Sequence, residues 1–287
     1  MDNVGFTFGE PTNLGPTVNS LALDKGPSIS NDGLTLFFYS GSNRPGSYGS
    51  TDLWVTTRVT VDDPWSEPVN LGPTVNSWTD EFSPSISVDG MSLYFSSRLP
   101  GGADNGEIWV TTRPTVSDPW GEPILLGPNI NSSAWEQDPA ISADGLALFF
   151  CSTRPPGDWY DEGIWVAARA TVSDPWGEPV RLVSPVGIEG REESPVISTD
   201  GMVLYFDSNW PGGSGHWDIW QVSIEPVVDL NSDGIVDSED MCIIVDHWGT
   251  DEPLCDIGPM PWGDGIVDVQ DLIVLAEHLF EEVPPVE

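Results

Sequence analysis

SPSISVDGMSLYFSS, residues 83–97, carries two short apolar segments on either side of one Asp-Gly pair. Short runs of β-branched and aromatic residues that flank Asp-Gly form antiparallel hairpins, because glycine takes positive φ without steric cost. The phrase returns as GPSISNDGLTLFFYS (26–40), DPAISADGLALFFCS (138–152) and SPVISTDGMVLYFDS (194–208). Its Asp-Gly pairs begin at Asp32, Asp89, Asp144 and Asp200, at spacings of 57, 55 and 56 residues.

Each copy leads into a Gly- and Pro-rich loop, such as RPGSYGS or RLPGGADNGE. A tryptophan-bearing run follows: DLWVTT, EIWVTT, GIWVAA or DIWQVS, with Trp54, Trp109, Trp165 and Trp220. A DPW loop then reaches EPVNLGP, EPILLGP or EPVRLVSP. Four short antiparallel strands per repeat predict the blades of a β-propeller. No stretch before residue 226 has helical periodicity, so residues 1–225 read as all-β.

The two ends of this region fit together. FTFGEPTNLGP (6–16) matches PWSEPVNLGP (64–73), the last strand of a blade, whereas the fourth repeat stops after three strands near Ile224. The N-terminal strand is therefore expected to complete the fourth blade and close a four-bladed ring without open edges. A larger propeller with blades upstream of Met1 is the alternative.

Composition narrows the function. The chain has 46 acidic and 9 basic residues, a net charge of −37. Long-range repulsion therefore opposes binding to nucleic-acid phosphates or anionic membranes. The 14 tryptophans and 39% hydrophobic residues argue against disorder. No run approaches the ~18 apolar residues of a membrane span. No signal peptide stands at Met1, and the start reads like the middle of a fold, so the expectation is a removed signal or an internal start. Cys242 and Cys255 are close enough in sequence to pair, which allows an exported, oxidising setting.

Two propeller sites are candidates. Three residues before each first-strand proline stands an acid: Asp24, Glu81, Glu136 and Glu192. With the first strand innermost, these carboxylates converge on the channel mouth as a cation site, or else accept hydrogen bonds from neighbouring backbone. The loops between second and third strands carry Tyr48, Trp159, Tyr160, Trp210, His216 and Trp217. Flat aromatic faces on loops suit sugar stacking; packing between blades is the other reading. Arg44, Arg98 and Arg154, and likewise Arg58, Arg113 and Arg169, recur at equivalent positions, as expected for inter-blade pairing with acids. No GxSxG or HExxH motif supports catalysis, although paired carboxylates for glycoside hydrolysis stay open.

Residues 13–225 resemble the WD40-like, TolB-type β-propeller repeats through their Ser-Pro-x-hydrophobic-Ser-x-Asp-Gly phrase. That resemblance implies the fold. Its members include enzymes, periplasmic binding proteins and scaffolds, so it leaves the activity to the sites.

After a linker at 226–228, residues 229–287 differ in chemistry: from Glu225 onward there are 17 acids and no Lys or Arg. DLNSDGIVDSED (229–240) fits the calcium-loop template. Asp229, Asn231 and Asp233 take positions 1, 3 and 5, and Gly234 the sharp turn. Ile235 offers its carbonyl, and Asp237 and Asp240 take positions 9 and 12. A helix over MCIIVDHW follows. The second loop gives Asp264, Ile266, Asp268 and Asp271 before LIVLAEHLF. Its strict first position is Met260, so Asp256 serves there only if the intervening residues bulge out.

These two loop–helix units resemble the type I dockerin. The resemblance implies Ca2+-dependent folding and docking to a cohesin-like or surface partner, often in extracellular polysaccharide breakdown. Two features depart from it. The tail offers no Lys or Arg, and recognition positions 10 and 11 are Ser238-Glu239 in one unit but Val269-Gln270 in the other. The combined expectation is a secreted, monomeric, calcium-binding protein whose tail tethers a glycan-recognising propeller. A glycoside hydrolase or lyase using propeller-face carboxylates, and a protein-interaction hub, are the alternatives.

Overall fold

The computed structural model describes residues 12–100, 106–155, 162–182, 186, 190–224, 228–232, 234–250, 255–258 and 266–280. Each Ser-x-Asp-Gly phrase makes a hairpin turn tied by its own side chains. Ser87 Oγ donates to Asp89 Oδ1 at 2.6 Å, and the same oxygen accepts the Met91 N–H at 2.9 Å. Ser87 Oγ in turn accepts the Ser92 N–H at 2.9 Å. The set repeats around Asp32, Asp144 and Asp200. The following glycines lie at φ 71, 70, 75 and 73°, so the Asp-Gly pair satisfies both the backbone and its donors.

A one-turn helix, α1 (Gly15–Val18), precedes blade one: β1 (Asp24–Ile29), β2 (Thr35–Gly41), β3 (Thr51–Thr57) and β4 (Val69–Asn70). Blade two is β5 (Glu81–Ile86), β6 (Ser92–Ser97), β7 (Glu107–Thr112) and β8 (Ile124–Leu125). Blade three is β9 (Glu136–Ile141), β10 (Ala147–Ser152), β11 (Gly163–Ala168) and β12 (Val180–Arg181). Blade four contains β13 (Glu192–Ile197), β14 (Val203–Ser208) and β15 (Asp218–Ser223). Every sheet is antiparallel and runs in chain order.

This is the four-bladed propeller the repeat predicts. The first strand of each blade borders the central channel. Period-2 alternation fills both sides of a blade: on β10, Phe149 packs toward blade four and Phe150 toward blade two. Of the segment 6–16 expected to close the ring, residues 6–11 lie outside the described residues. Thr12 and Asn13, the counterparts of Val69 and Asn70, form no strand, so blade four has three strands among the described residues.

α1 departs from the all-β expectation for residues 1–225. Its turn recurs in later repeats, where Asn76 and Asn131 N–H groups reach Gly72 O and Gly127 O. Asn76 then bridges the Leu53 N–H and carbonyl at 2.8 and 2.9 Å, and Asn131 serves Ile108 likewise at 2.9 and 2.9 Å. These buried amides supply the acceptor that the two-residue outer strands leave missing for the Leu53 and Ile108 N–H groups, and a second donor to carbonyls already reached by Leu71 and Leu126.

The tail holds α2 (Ser238–Asp246) and α3 (Val269–Glu277), each opened by a capping box, Asp237 with Asp240 and Asp268 with Asp271. Val236, Ile244, Val267 and Leu275 form its core. Gly249 N–H donates to Val267 O at 2.8 Å, and Phe280 N–H donates to Val236 O at 2.7 Å. The two donors, Gly249 and Phe280, and the two acceptors, Val236 and Val267, each stand 31 residues apart in sequence, so the two units exchange equivalent bonds about a pseudo-twofold. Among the described residues no helix is long and apolar enough to cross a membrane.

Candidate functional site

A β-bulge in each first strand shapes the channel. The ladder shifts between Lys25 and Ser28, and at the matching places in β5, β9 and β13. The residue before proline there has positive φ: Gly26 at 60°, Ser83 at 49°, Asp138 at 53° and Ser194 at 53°. Three non-glycine residues in left-handed conformation at one repeat position are costly.

The resulting cavity is about 720 Å³ and is lined from all four blades. Ser83 Oγ donates to Asp138 Oδ1 at 2.5 Å, and the Asp138 N–H donates to Ser96 Oγ at 2.9 Å. The nearby Ser194 N–H pulls the Asp138 titration down, and the Ser194 hydroxyl does the same for Asp207. Behind this wall Glu162 accepts Gln137 Nε2 at 2.8 Å and Arg191 Nη2 at 2.5 Å, while Arg191 also meets Glu193 at 2.7 Å.

These acids oppose one another. Burial pushes Asp138 up to about 6, with the charges of Glu162 and Asp207 adding to it and the Ser83 bond opposing. Burial likewise pushes Glu193 up to about 7, helped by Glu162 and opposed by Arg191. Asp207 is raised by burial against the pull of Ser194 and Lys25. Burial and the Asp138 charge lift Tyr39 to about 12, and burial also raises the Cys151 thiol well above its ordinary range.

The expected acidic ring occupies a different place. Asp24, Glu81, Glu136 and Glu192 do not line the channel; three of them clasp the loop preceding their own strand. Ser77 donates its N–H and Oγ to Glu81 at 2.9 and 2.6 Å, and Ser132 does the same for Glu136 at 2.9 and 2.6 Å. Ser20 N–H, Ser40 Oγ and Arg44 hold Asp24 at 2.7, 2.7 and 2.9 Å. Glu192 accepts Trp210 Nε1 at 2.5 Å. The bulge turns Asp138 and Ser194 toward the channel, an effect that alternation alone does not reveal.

Among the aromatic candidates, Tyr48 is 54% exposed, and its N–H is pinned by Asp52 Oδ2 at 2.6 Å. Trp210 is engaged in packing: its ring meets Phe206 at 5.3 Å and Trp220 at 5.2 Å. It is therefore not a free stacking face. Trp217 is half-buried beneath the Arg191 guanidinium, with His216 beside it. Trp159 and Tyr160 lie outside the described residues. Sequence reasoning missed Trp78, which is 76% exposed. The Gly49 backbone packs so tightly on residues 77–79 that an added Cβ would collide with the Ser77 and Thr79 carbonyls, which places Tyr48 and Trp78 on one surface. Its only sequence signal is an apolar residue in a polar Asn-Ser loop.

The arginines divide into two classes by ion pairing, although the first set also stacks on rings, Arg44 on Trp54 at 4.8 Å, Arg98 on Trp135 at 4.9 Å and Arg154 on Trp165 at 5.2 Å. Arg44, Arg98 and Arg154 pair with Asp24, Asp80 and Glu136 at 2.9, 3.5 and 3.2 Å. Arg58, Arg113 and Arg169 instead stack on Trp65, Trp120 and Trp176 at 4.4, 4.2 and 4.2 Å and donate to Gly33, Gly90 and Gly145 carbonyls. The expected inter-blade ion pairing is replaced by cation–π contacts for this second set.

In the tail, Asp240 and Asp271 are fully buried. Asp240 accepts the N–H groups of Leu230, Asn231 and Asp237 at 2.7, 3.1 and 2.8 Å, and Asp229 accepts Gly234 N–H at 2.9 Å. Asp271 accepts Gly258 and Asp268 N–H groups at 2.8 and 2.5 Å. Ile235 and Ile266 are exposed. Asp233 and Asp264 lie outside the described residues. Among the described residues no group of three or more His, Cys, Asp or Glu side chains converges as a metal site. Cys242 is exposed and Cys255 buried, and both are free thiols, so the allowed pairing is not formed.

No family model matches the chain, and no curated protein matches it. Among solved structures it is similar to a putative TolB from Agrobacterium tumefaciens, at 22% identity and a TM-score of 0.46, over 71% of this chain and 60% of that one. TolB from Acinetobacter baumannii matches at 16% identity and a TM-score of 0.49, over 72% and 43%. A thermostable family-43 glycoside hydrolase matches at 12% identity and a TM-score of 0.48, over 70% and 71%. The chain thus spans 60% and 43% of the two TolB chains, less than two thirds of either.

Proposed function

We propose that the propeller is a glycan-recognising binding module, held outside the cell by a calcium-folded, dockerin-like tail that docks on a cohesin-type or surface partner. In this division residues 1–225 bind, 226–228 link and 229–287 dock. The observation that carries it is the duplicated tail, in which buried Asp240 and Asp271 each gather backbone N–H groups of an acidic loop.

The residues fit a hard cation. Asp229, Asn231, Asp233, the Ile235 carbonyl, Asp237 and Asp240 offer oxygen donors at the spacing calcium requires. In the first loop the position-3 N–H, that of Asn231, donates to Asp240. In the second, Gly258 N–H donates to Asp271, and Cys255 and Ile257 pack in the tail core as Val228 and Leu230 do, which supports Gly258 as the counterpart of Asn231 and Asp256 as that of Asp229. The second set is then Asp256, Asp264, the Ile266 carbonyl, Asp268 and Asp271. Bound calcium supplies the charge that offsets their repulsion, coupling binding to folding.

Tyr48 and Trp78 support the glycan assignment: two exposed rings stand on loops fixed by Asp52 and Thr79. Retention of the protein on insoluble polysaccharide, lost in Tyr48→Ala and Trp78→Ala, is the expected result. Unchanged retention in both variants contradicts it.

One observation favours a second reading, hydrolysis of a polysaccharide. Asp138 and Glu193, pushed up to about 6 and about 7, hold protons near neutrality as a general acid must. Product release from a polysaccharide panel, abolished in Glu193→Gln, supports this reading; binding without turnover supports the first.

A further inference from the structure

The internal repeat permits a comparison within one molecule. Scaffold positions recur from blade to blade: Ser-x-Asp-Gly, the strand tryptophan and the pre-strand acid. The positions facing the channel do not. The residue before the bulge is Lys25, Phe82, Gln137 or Glu193, and the bulge itself is Gly26, Ser83, Asp138 or Ser194. Their partners on the second strands β2, β6, β10 and β14, one step outward, are Tyr39, Ser96, Cys151 and Asp207, of which Tyr39 and Asp207 line the cavity. Packing alone would be served by one solution repeated four times, so this divergence sits where a bound molecule would be touched.

The divergence makes two unlike walls. Blades one and two present Tyr39 and Phe82, set edge-on with ring centroids 6.2 Å apart. Blades three and four present Asp138, Glu193 and Asp207. Among the described residues Lys25, near Asp207, is the one lining cation. Behind the acidic wall Arg191 pairs with both Glu162, at 2.5 Å, and Glu193, at 2.7 Å, so four carboxylates, Asp138, Glu162, Glu193 and Asp207, face two cations. The cavity of about 720 Å³ falls in the range of small-molecule sites.

We propose that the channel binds a compact organic cation, a primary ammonium on an apolar stem, with the ammonium against Asp138 and Glu193 and the stem against Tyr39 and Phe82. The ammonium offsets the surplus negative charge that Lys25 and Arg191 leave uncompensated, and the stem covers aromatic surface. Burial, with the charges of neighbouring carboxylates, raises the Asp138 and Glu193 titrations, and an ammonium beside them lowers both. This site is separate from the proposed glycan surface of Tyr48 and Trp78 and stands or falls independently of it.

The test is calorimetric titration of the full chain, in calcium-containing buffer at neutral pH, with hexylammonium, hexan-1-ol and hexanoate. Hexylammonium should bind at one site, with the alcohol and carboxylate weaker by roughly tenfold or more, the scale of one charged hydrogen bond. Glu193→Gln should lower hexylammonium affinity by about the same factor, and Val172→Ala, at an exposed position away from the channel, should leave it unchanged. Asp138→Asn also disturbs the Ser83 contact, so Glu193→Gln, in which Arg191 keeps Glu162, is the deciding variant. The proposal is overturned by absence of hexylammonium binding, by equal binding of the alcohol, by an unaffected Glu193→Gln, or by competitive displacement with millimolar calcium.

Discussion

Ser83 and Asp138 stand at equivalent positions of adjacent blades, both at positive φ, joined by a 2.5 Å hydrogen bond from Ser83 Oγ to Asp138 Oδ1. The bond crosses the seam between β5 and β9 and fixes one acid of the channel wall. Ser28 Oγ and Ser85 Oγ make further crossings, accepting the N–H groups of Ile86 and Ile141 at 3.0 and 3.1 Å. Strain at the bulges is thereby offset by ties between blades, which keeps the channel side chains in fixed positions.

The channel acids give stability a pH dependence of definite sign. Glu193 and Asp138 titrate higher in the folded protein than in an unfolded chain, so the folded state holds extra protons between roughly pH 4 and 7. Their contribution is present in full at low pH and is lost as pH rises through about 7 for Glu193. The melting temperature of wild type minus that of Glu193→Gln should therefore fall as pH rises from about 4.5 to 7.5. A difference that is flat, or that rises, contradicts the assignment; taking the difference cancels any titration in the tail.

Glu136 anchors the loop before β9 and is the partner of Arg154, whose side chain is 11% exposed. Glu136→Ala leaves that guanidinium buried without its carboxylate, which should cost about 3–5 kcal/mol. Chemical denaturation should show it as a lowered midpoint at unchanged slope. Val172→Ala, on an exposed loop, should stay within about 0.5 kcal/mol of wild type.

Trp78 and Trp210 should separate cleanly. Trp210→Ala removes a ring packed on Phe206 and Trp220, at a cost on the order of 3 kcal/mol. Trp78→Ala, at a 76% exposed position, should change stability by less than about 0.5 kcal/mol yet weaken retention on polysaccharide. Thermal melts beside affinity electrophoresis distinguish the two outcomes.

Much of the fold is legible because each strand pair announces itself locally. Ser87, Asp89 and Gly90 close their own turn, so the phrase containing them predicts a hairpin wherever it recurs. The channel is less legible. Alternation along Glu136-Gln137-Asp138 does not reveal the bulge at Asp138, and without it the wrong acid is assigned to the axis. Trp78 and Trp210 show the same limit: both are tryptophans in loops, and only tertiary packing decides which is exposed. The tail lies between these cases. Its loop spacing is visible in sequence, whereas the equivalence of Asp256 with Asp229 emerges through Gly258 and Asp271.

The most direct measurement is a calcium titration of the full chain and of Asp240→Ala, followed by calorimetry and by far-ultraviolet circular dichroism. The account predicts two binding events in the wild type, the second weaker because its loop carries an insertion, and a gain of helical signal as they fill. Asp240→Ala should lose the tighter event and the signal that accompanies it. Absence of calcium binding in the wild type, or an unaltered isotherm and helical signal in Asp240→Ala, would contradict it.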